Sequence, residues 1–361
     1  MREYKKWKTQ MGLLAVAVAV ICVAAAGISR RKEKQKEEDT LKVGISIYQS
    51  DDTYVNLLTK KIERQLKACE KQQGIKIHCK IVSAENDQNE QNEQVEHFAA
   101  LAYDVICVNA VDRTNVSTMI DRAEESEIPL IFFNRQPVQD DLRKGQHIYY
   151  VGSDAQESGR LQGELVASVY RKDPAVLDKN GDGVVGYAVL EGETGHQDAI
   201  IRSEWSVKTM TSSGVPAKRI TGGVANWMKE QAAAIVGRWL KEEEGELELI
   251  LCNNDDMALG AIETLRQEGR TDISVVGIDG TEEGLMAVRD GKMLGTVKAD
   301  SDIYAEYIAR MVCGLKKKER CQRKSWKDMI GKYGFHGKLR SVQNWENREC
   351  KSAQIYRIKI I

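Results

Sequence analysis

From residue 41 the chain alternates short apolar runs with longer amphipathic stretches. LKVGISIYQ (Leu41–Gln49) is apolar and β-branched, which predicts a buried strand, while Tyr54–Gln72 places apolar side chains at Val55, Leu57, Leu58, Ile62 and Leu66, the spacing of one helix face. IKIHCKIVS, YDVICVNA, PLIFFN and HIYYVGS follow as strand candidates with amphipathic helices between them. After about residue 183 the rhythm restarts with VVGYAVLEG, LELILCNN, ISVVGIDG and MLGTVKAD, and with helices at roughly 199–212, 228–243, 256–268 and 282–290. Strands that alternate with helices need crossover connections, so their sheets are parallel and covered on both faces. Two successive series predict an α/β fold of two Rossmann-like, doubly wound lobes.

Composition adds bounds. The chain has 361 residues, 42% hydrophobic and 30% charged, with a formal net charge of -1, enough for two cores and no electrostatic reason to expect nucleic acid. One segment departs from this. Arg2, Lys5, Lys6 and Lys8 precede an uncharged apolar run, Thr9–Ser29, the pattern of a signal peptide or signal anchor over residues 1–29. Ala24-Ala25-Ala26 offers a small-residue cleavage site, and uncut the run is long enough to span a bilayer, so residues 9–29 are a candidate membrane anchor. Residues 30–40 read as a charged linker. Eight cysteines are scattered without a CxxC pair; Cys69 and Cys79 are the nearest candidates for a disulfide, and Cys107 and Cys252 sit in apolar runs as buried hydrophobes.

In open α/β sheets ligands bind beyond the carboxyl ends of the strands. Polar residues collect there: Asp51-Asp52, Asn134, His196, Asn253-Asn254-Asp255 and Asp279. Any one of them is ordinary turn chemistry; five strand ends facing one cleft are a binding site. Tyr54 and Trp227 supply flat apolar faces for the C–H faces of a sugar, with carboxylates and amides for its hydroxyl rim. In GETGHQDAIIR, Arg202 stands one helical turn beyond Asp198, an arrangement that holds neighbouring hydroxyls or makes an i,i+4 surface pair. DKNGDGVVG (178–186) carries Asp178, Asn180 and Asp182 at alternate positions before Gly183, as in a calcium loop, with the Val184 carbonyl as a further ligand. The twelfth position is Val189, so a carboxylate from elsewhere must complete the shell; an Asx-rich turn without metal is the plain alternative. No GxxxxGK[ST], GxSxG or HExxH motif occurs, and no GxGxxG follows the first strand, which favours binding over catalysis.

VGISIYQSDDTY, IPLIFFNRQP, YYVGSDAQESGRLQGEL, DKNGDG, GETGHQDAIIR, ILCNNDDMALGAIE and VVGIDG, in this order, resemble the galactose/glucose-binding receptors of bacterial ABC sugar importers, within the type I periplasmic binding protein superfamily. The likeness runs from about Lys42 to Asp300 and implies two lobes joined by a hinge of three crossovers, with the sugar between them. It implies sugar contacts at Asp52, Asn134, His196, Asp198, Arg202, Asn254 and Asp279, with Tyr54 and Trp227 on opposite faces of the pyranose. It also supplies Glu248 as the remaining ligand of a structural Ca2+ held by Asp178, Asn180, Asp182 and the Val184 carbonyl. Three positions depart: Gly186 stands where the family has a side-chain amide on calcium, Ala299 where it has a hinge asparagine on the sugar, and Tyr54 where it has phenylalanine.

The expectation is a non-enzymatic, extracytoplasmic, monomeric receptor in which a first lobe takes residues 41–151 and about 301–340. A second lobe takes 152–300, with 350–361 as its candidate last element. A monosaccharide is its ligand and ABC permease subunits its partner. A membrane-tethered sensor read by a chemoreceptor or histidine kinase is the alternative. A transcription factor of the same sensor fold would need a helix-turn-helix where the apolar run stands.

Overall fold

The computed structural model describes residues 40–242, 245–320, 340–343 and 359–360. The apolar run at 9–29 and the linker at 30–40, save Thr40, lie outside the described residues; among those described, no helix is long and apolar enough to cross a membrane.

The first sheet is built from β1 (Thr40–Ile47), β2 (Lys76–Ser83), β3 (Val105–Val108), β4 (Leu130–Phe133) and β5 (Ile148–Gly152), all parallel. The second is built in the same way from β6 (Val185–Glu191), β7 (Ala217–Val224), β8 (Leu249–Cys252), β9 (Ser274–Asp279) and β10 (Gly295–Lys298). Each runs second-first-third-fourth-fifth across the sheet, so the order reverses beside β1 and beside β6. Those reversals open a crevice at the carboxyl ends of the strands.

The central strands β3, β4 and β8 are buried at every position, as strands covered on both faces must be. Edge strand β7, AKRITGGV, is made of exposed and half-buried residues with none fully buried; its charges and glycines hid it from a search for apolar runs. Helices α1 (Thr53–Gln73), α2 (Gln88–Ala100), α3 (Ser117–Glu125) and the single turn α4 (Gln139–Leu142) belong to the first lobe. Helices α5 (Ala155–Lys172), α6 (Gln197–Ser212), α7 (Lys229–Glu242), α8 (Asp255–Gln267) and α9 (Glu282–Arg289) belong to the second. The last helix, α10 (Ser301–Arg320), returns to pack Tyr304, Ile308 and Val312 against β1 and α1.

Two short strands close the sheets. β11 (Arg340–Gln343) pairs antiparallel with β10, and β12 (Lys359–Ile360) pairs antiparallel with β5. This corrects the expected ending: residues 359–360 complete the first sheet, whereas the second is completed by 340–343. The tail has no apolar pattern of its own, and each piece is placed by an open strand edge that needs hydrogen-bond partners. No disulfide joins any of the five described cysteines, Cys69, Cys79, Cys107, Cys252 and Cys313, so the Cys69–Cys79 bridge does not form. Burial pushes the Cys79 thiol up to about 12 and the Cys107 thiol higher, which keeps both protonated and unreactive.

Candidate functional site: a cleft between the lobes

Helix starts furnish the site. Asp52 caps α1 by accepting the Val55 N–H at 2.7 Å, and also takes the Tyr48 hydroxyl at 2.6 Å. His196 caps α6, its Nδ1 accepting the Asp198 N–H at 3.1 Å, which leaves the ring proton on Nε2. Asn254 caps α8 through the Met257 N–H at 2.9 Å, and its amide donates to the Trp227 carbonyl at 3.1 Å. Asp, Asn and the histidine nitrogen are chosen here because a helix start has N–H groups with no partner of their own. The same geometry aims these side chains, and the positive ends of three helices, into the crevice.

Asp52, Tyr54, Asn134, Arg135, His196, Asp198, Arg202, Trp227, Asn254 and Asp279 line one cleft of about 370 Å³. That figure includes space open to solvent. All nine residues named from the sequence are in it. Three hold backbone conformations that disfavour a side chain: Asn134 at φ 62°, Trp227 at φ 66° after Asn226 at φ 48°, and Asp279 at φ 124°. Such strain persists where the surrounding structure fixes it, and it clusters at ligand sites.

Trp227 is held from several sides. The His196 ring meets it edge-on at 4.9 Å, and Gly192 lies so close that an added Cβ would stand 2.2 Å from the indole. Arg202 is fixed by the Asn253 carbonyl at 2.8 Å and by Asp198 and Asp279 at 3.4 and 3.8 Å. Helix α5 sets its height, because a Cβ on Gly159 would fall 2.7 Å from the Arg202 carbonyl oxygen. The Arg202 Nε is buried and, among the described residues, has no hydrogen-bond partner, an N–H that a ligand oxygen in the cleft would satisfy.

Electrostatics follow from burial. Desolvation pushes the Asp198 carboxyl up, and Asp279 well up, against the pull of Arg202 on both. Burial, then the nearby Arg135 and Arg202 charges, hold His196 well below the usual histidine range, so it is neutral near pH 7. Burial would lower Arg202, but Asp198 and Asp279 raise it further and keep it cationic. The site thus combines carboxylates, amides, one neutral imidazole and two guanidinium groups beside two aromatic rings. It has no activated nucleophile.

Arg135 was not singled out in the sequence. Its guanidinium lies 3.6 Å over the Tyr48 ring, donates to the Val111 carbonyl at 2.8 Å and pairs with Glu193 of the other lobe at 2.7 Å. Its place in FFNRQP, directly after the strand-end Asn134, was the available signal. Ala299 is buried at the hinge with its N–H on the Asp279 carbonyl at 2.8 Å, and it offers the cleft no polar group.

The 178–186 loop is separate from the cleft. Glu248 lies buried beneath it and accepts the N–H groups of Lys179, Asn180 and Gly186 at 2.6, 3.0 and 2.8 Å. Asp178 accepts from Gly181 and Gly183, Asn180 from the Asp182 N–H, and Asp182 from the Val184 N–H and the Asn180 amide. The oxygen donors suit a hard cation in type. Their placement does not yet suit one: among the described residues, no three His, Cys, Asp or Glu side chains converge to hold a metal. The loop as it stands is closed by its own hydrogen bonds. Gly186 is explained locally, since a Cβ there would fall 1.7 Å from the Glu246 carbonyl oxygen.

Comparisons agree with this architecture. The periplasmic binding protein domain matches residues 43–320. The D-galactose/methyl-galactoside binding periplasmic protein of Haemophilus influenzae is 33% identical over 261 residues, 72% of this chain and 77% of that one. A putative rhizopine-binding protein of Rhizobium meliloti is 30% identical over 262 residues, 72% of this chain and 79% of its own. Among solved structures, an ABC transporter solute binding protein from Bacillus halodurans with bound myo-inositol superposes with a TM-score of 0.64 at 27% identity, covering 76% of this chain and 89% of that one. A periplasmic solute binding protein from Actinobacillus succinogenes with bound D-allose gives 0.70 at 20% identity over 84% and 98%, a likeness of fold. The chain belongs to the periplasmic binding protein domain family, whose members are substrate-binding receptors and not enzymes.

Proposed function

We propose that this chain is an extracytoplasmic receptor for a monosaccharide, a hexose such as galactose or glucose in its pyranose form, which it delivers to an ABC importer by closing its lobes. The observation that carries the reading is the buried, unpartnered Arg202 Nε in a cleft whose lining comes from both lobes. A sugar hydroxyl accepts from that N–H and from the His196 Nε2–H, and donates to Asp52, Asp198 or Asp279. Hydroxyls both donate and accept, which is what a site mixing carboxylates with guanidinium and amide groups requires. Tyr54 and Trp227 take the two apolar faces of the ring. Asp52, Tyr54, Asn134 and Arg135 come from the first lobe and the remaining lining from the second, so the ligand bridges the lobes and favours the closed form. That shift is limited by how much more tightly the closed form binds. The galactoside relative at 33% identity supports a hexose, and the inositol-bound structure at 27% identity supports a cyclic polyol.

Isothermal titration against galactose, glucose, ribose, allose and myo-inositol tests the reading. A saturable heat with at least one hexose is expected, and no heat with any of the five refutes it.

A further inference from the structure

The segment that opens α6 faces two ways. His196 and Asp198 point into the cleft, while Glu193 and Gln197 reach across to the first lobe. Glu193 pairs with Arg135 at 2.7 Å; the arginine side chain is 4% exposed and that of Glu193 39%. The Gln197 carbonyl oxygen accepts from the Arg113 guanidinium at 2.9 Å, and its amide donates to Gln136 Oε1 at 3.2 Å. Arg113 is itself braced by the Gln136 carbonyl at 2.7 Å. Three cross-lobe contacts therefore join loops 111–113 and 134–136 to loop 193–197, and Glu193 and Gln197 lie outside the lining of the cleft.

We propose that Glu193 and Gln197 are positioning residues that latch the two lobes, setting the closed population and thereby the affinity and residence time of the ligand without touching it. The asymmetry of the ion pair supports this. Arg135 is tied to its own lobe by the Tyr48 ring and the Val111 carbonyl whatever Glu193 does, so it is a preformed socket. Glu193 is half-exposed and loses little when released to water, so the pair opens readily. A latch must reseat and release within each binding cycle, and a deeply buried pair would not release. Because apparent affinity scales with the fraction of binding-competent molecules, loosening the latch weakens every ligand of the cleft by one common factor.

The reading of the cleft as a sugar site underlies the affinity readout; the latch itself is read without ligand. The test uses the full chain with spin-label side chains at exposed Asn115 and Ile200, one on each lobe, in wild type, Glu193→Gln, Gln197→Ala and Glu193→Asp. Pulsed dipolar spectroscopy without sugar should show longer inter-lobe distances in Glu193→Gln and Gln197→Ala, with Glu193→Asp between them and wild type. Stopped-flow with galactose and glucose should show dissociation faster by about two- to five-fold in Glu193→Gln, the span for loss of a partly exposed ion pair. The galactose-to-glucose affinity ratio should stay within two-fold of wild type, because neither residue reads the sugar. Unchanged distances in both Glu193→Gln and Gln197→Ala overturn the latch, even if no sugar binds. A selectivity ratio that moves with affinity also overturns it, since the residues would then contact the ligand.

Discussion

A methyl group at residue 192 tests how the aromatic wall of the cleft is held. Gly192 follows β6 with ordinary backbone angles, so alanine is tolerated there on conformational grounds. Its Cβ would lie 2.2 Å from one indole carbon of Trp227 and within 2.4 Å of two more atoms, whereas carbon atoms in contact sit roughly 3.5–4.0 Å apart. The ring must therefore retreat by well over 1 Å, on the order of the gap between those distances. It has little freedom to do so, because its backbone is at φ 66°, its carbonyl takes the Asn254 amide and its edge meets His196. Loss of one aromatic contact costs about 0.5–1.5 kcal/mol, and disturbance of the Asn254 bond a similar amount. Together they amount to about 1–3 kcal/mol, or roughly five- to hundred-fold in Kd. Replacing glycine also restricts the unfolded chain, which is worth about 0.4–1 kcal/mol in favour of folding. Gly192→Ala should thus bind sugar at least five-fold more weakly by calorimetric titration and melt at a lower temperature, since the strained packing outweighs the gain from the stiffer unfolded chain. Affinity within two-fold of wild type would refute the placement of Trp227 against the ligand.

Other expectations bear on stability. Burial raises the Asp255 carboxyl to about 7 against three bonds from Thr281 and Thr296, so the folded chain binds a proton there that the unfolded chain releases near pH 4. The folded state then loses stability as pH rises from about 4 to about 7, and Asp255→Asn should flatten that fall in a melting series; an unchanged slope would contradict it. For the 178–186 loop, we propose that calcium draws Asp178, Asn180, Asp182, the Val184 carbonyl and Glu248 out of their present hydrogen bonds and around the ion, which predicts about 2.7 kcal/mol of added stability at a hundred-fold excess over Kd. Melting curves indifferent to both added calcium and chelator would end that proposal.

Much of this arrangement was readable in the chain. Central strands such as LILC and LIFF are continuous apolar runs because both their faces are covered, and strand ends rich in Asn and Asp mark helix caps that also face the crevice. The nine cleft residues follow from that rule together with the family resemblance, and all line one cavity. Arg135 escaped because its importance lies in a partner 58 positions onward, which no local spacing encodes. Strand β7 escaped because an edge strand needs few apolar side chains, and β11 and β12 because an open edge selects them. The strain at Asn134, Trp227 and Asp279 is likewise imposed by the surrounding fold, since none of the three is a glycine that would announce it.

The most direct test of the central claim is a crystal structure of the chain grown with saturating galactose or glucose. A pyranose in the inter-lobe cleft, with a hydroxyl within about 3.2 Å of Arg202 Nε and its faces against Tyr54 and Trp227, is the expected result. Sugar density elsewhere on the molecule, with the Arg202 Nε still lacking an acceptor in an empty cleft, would contradict it.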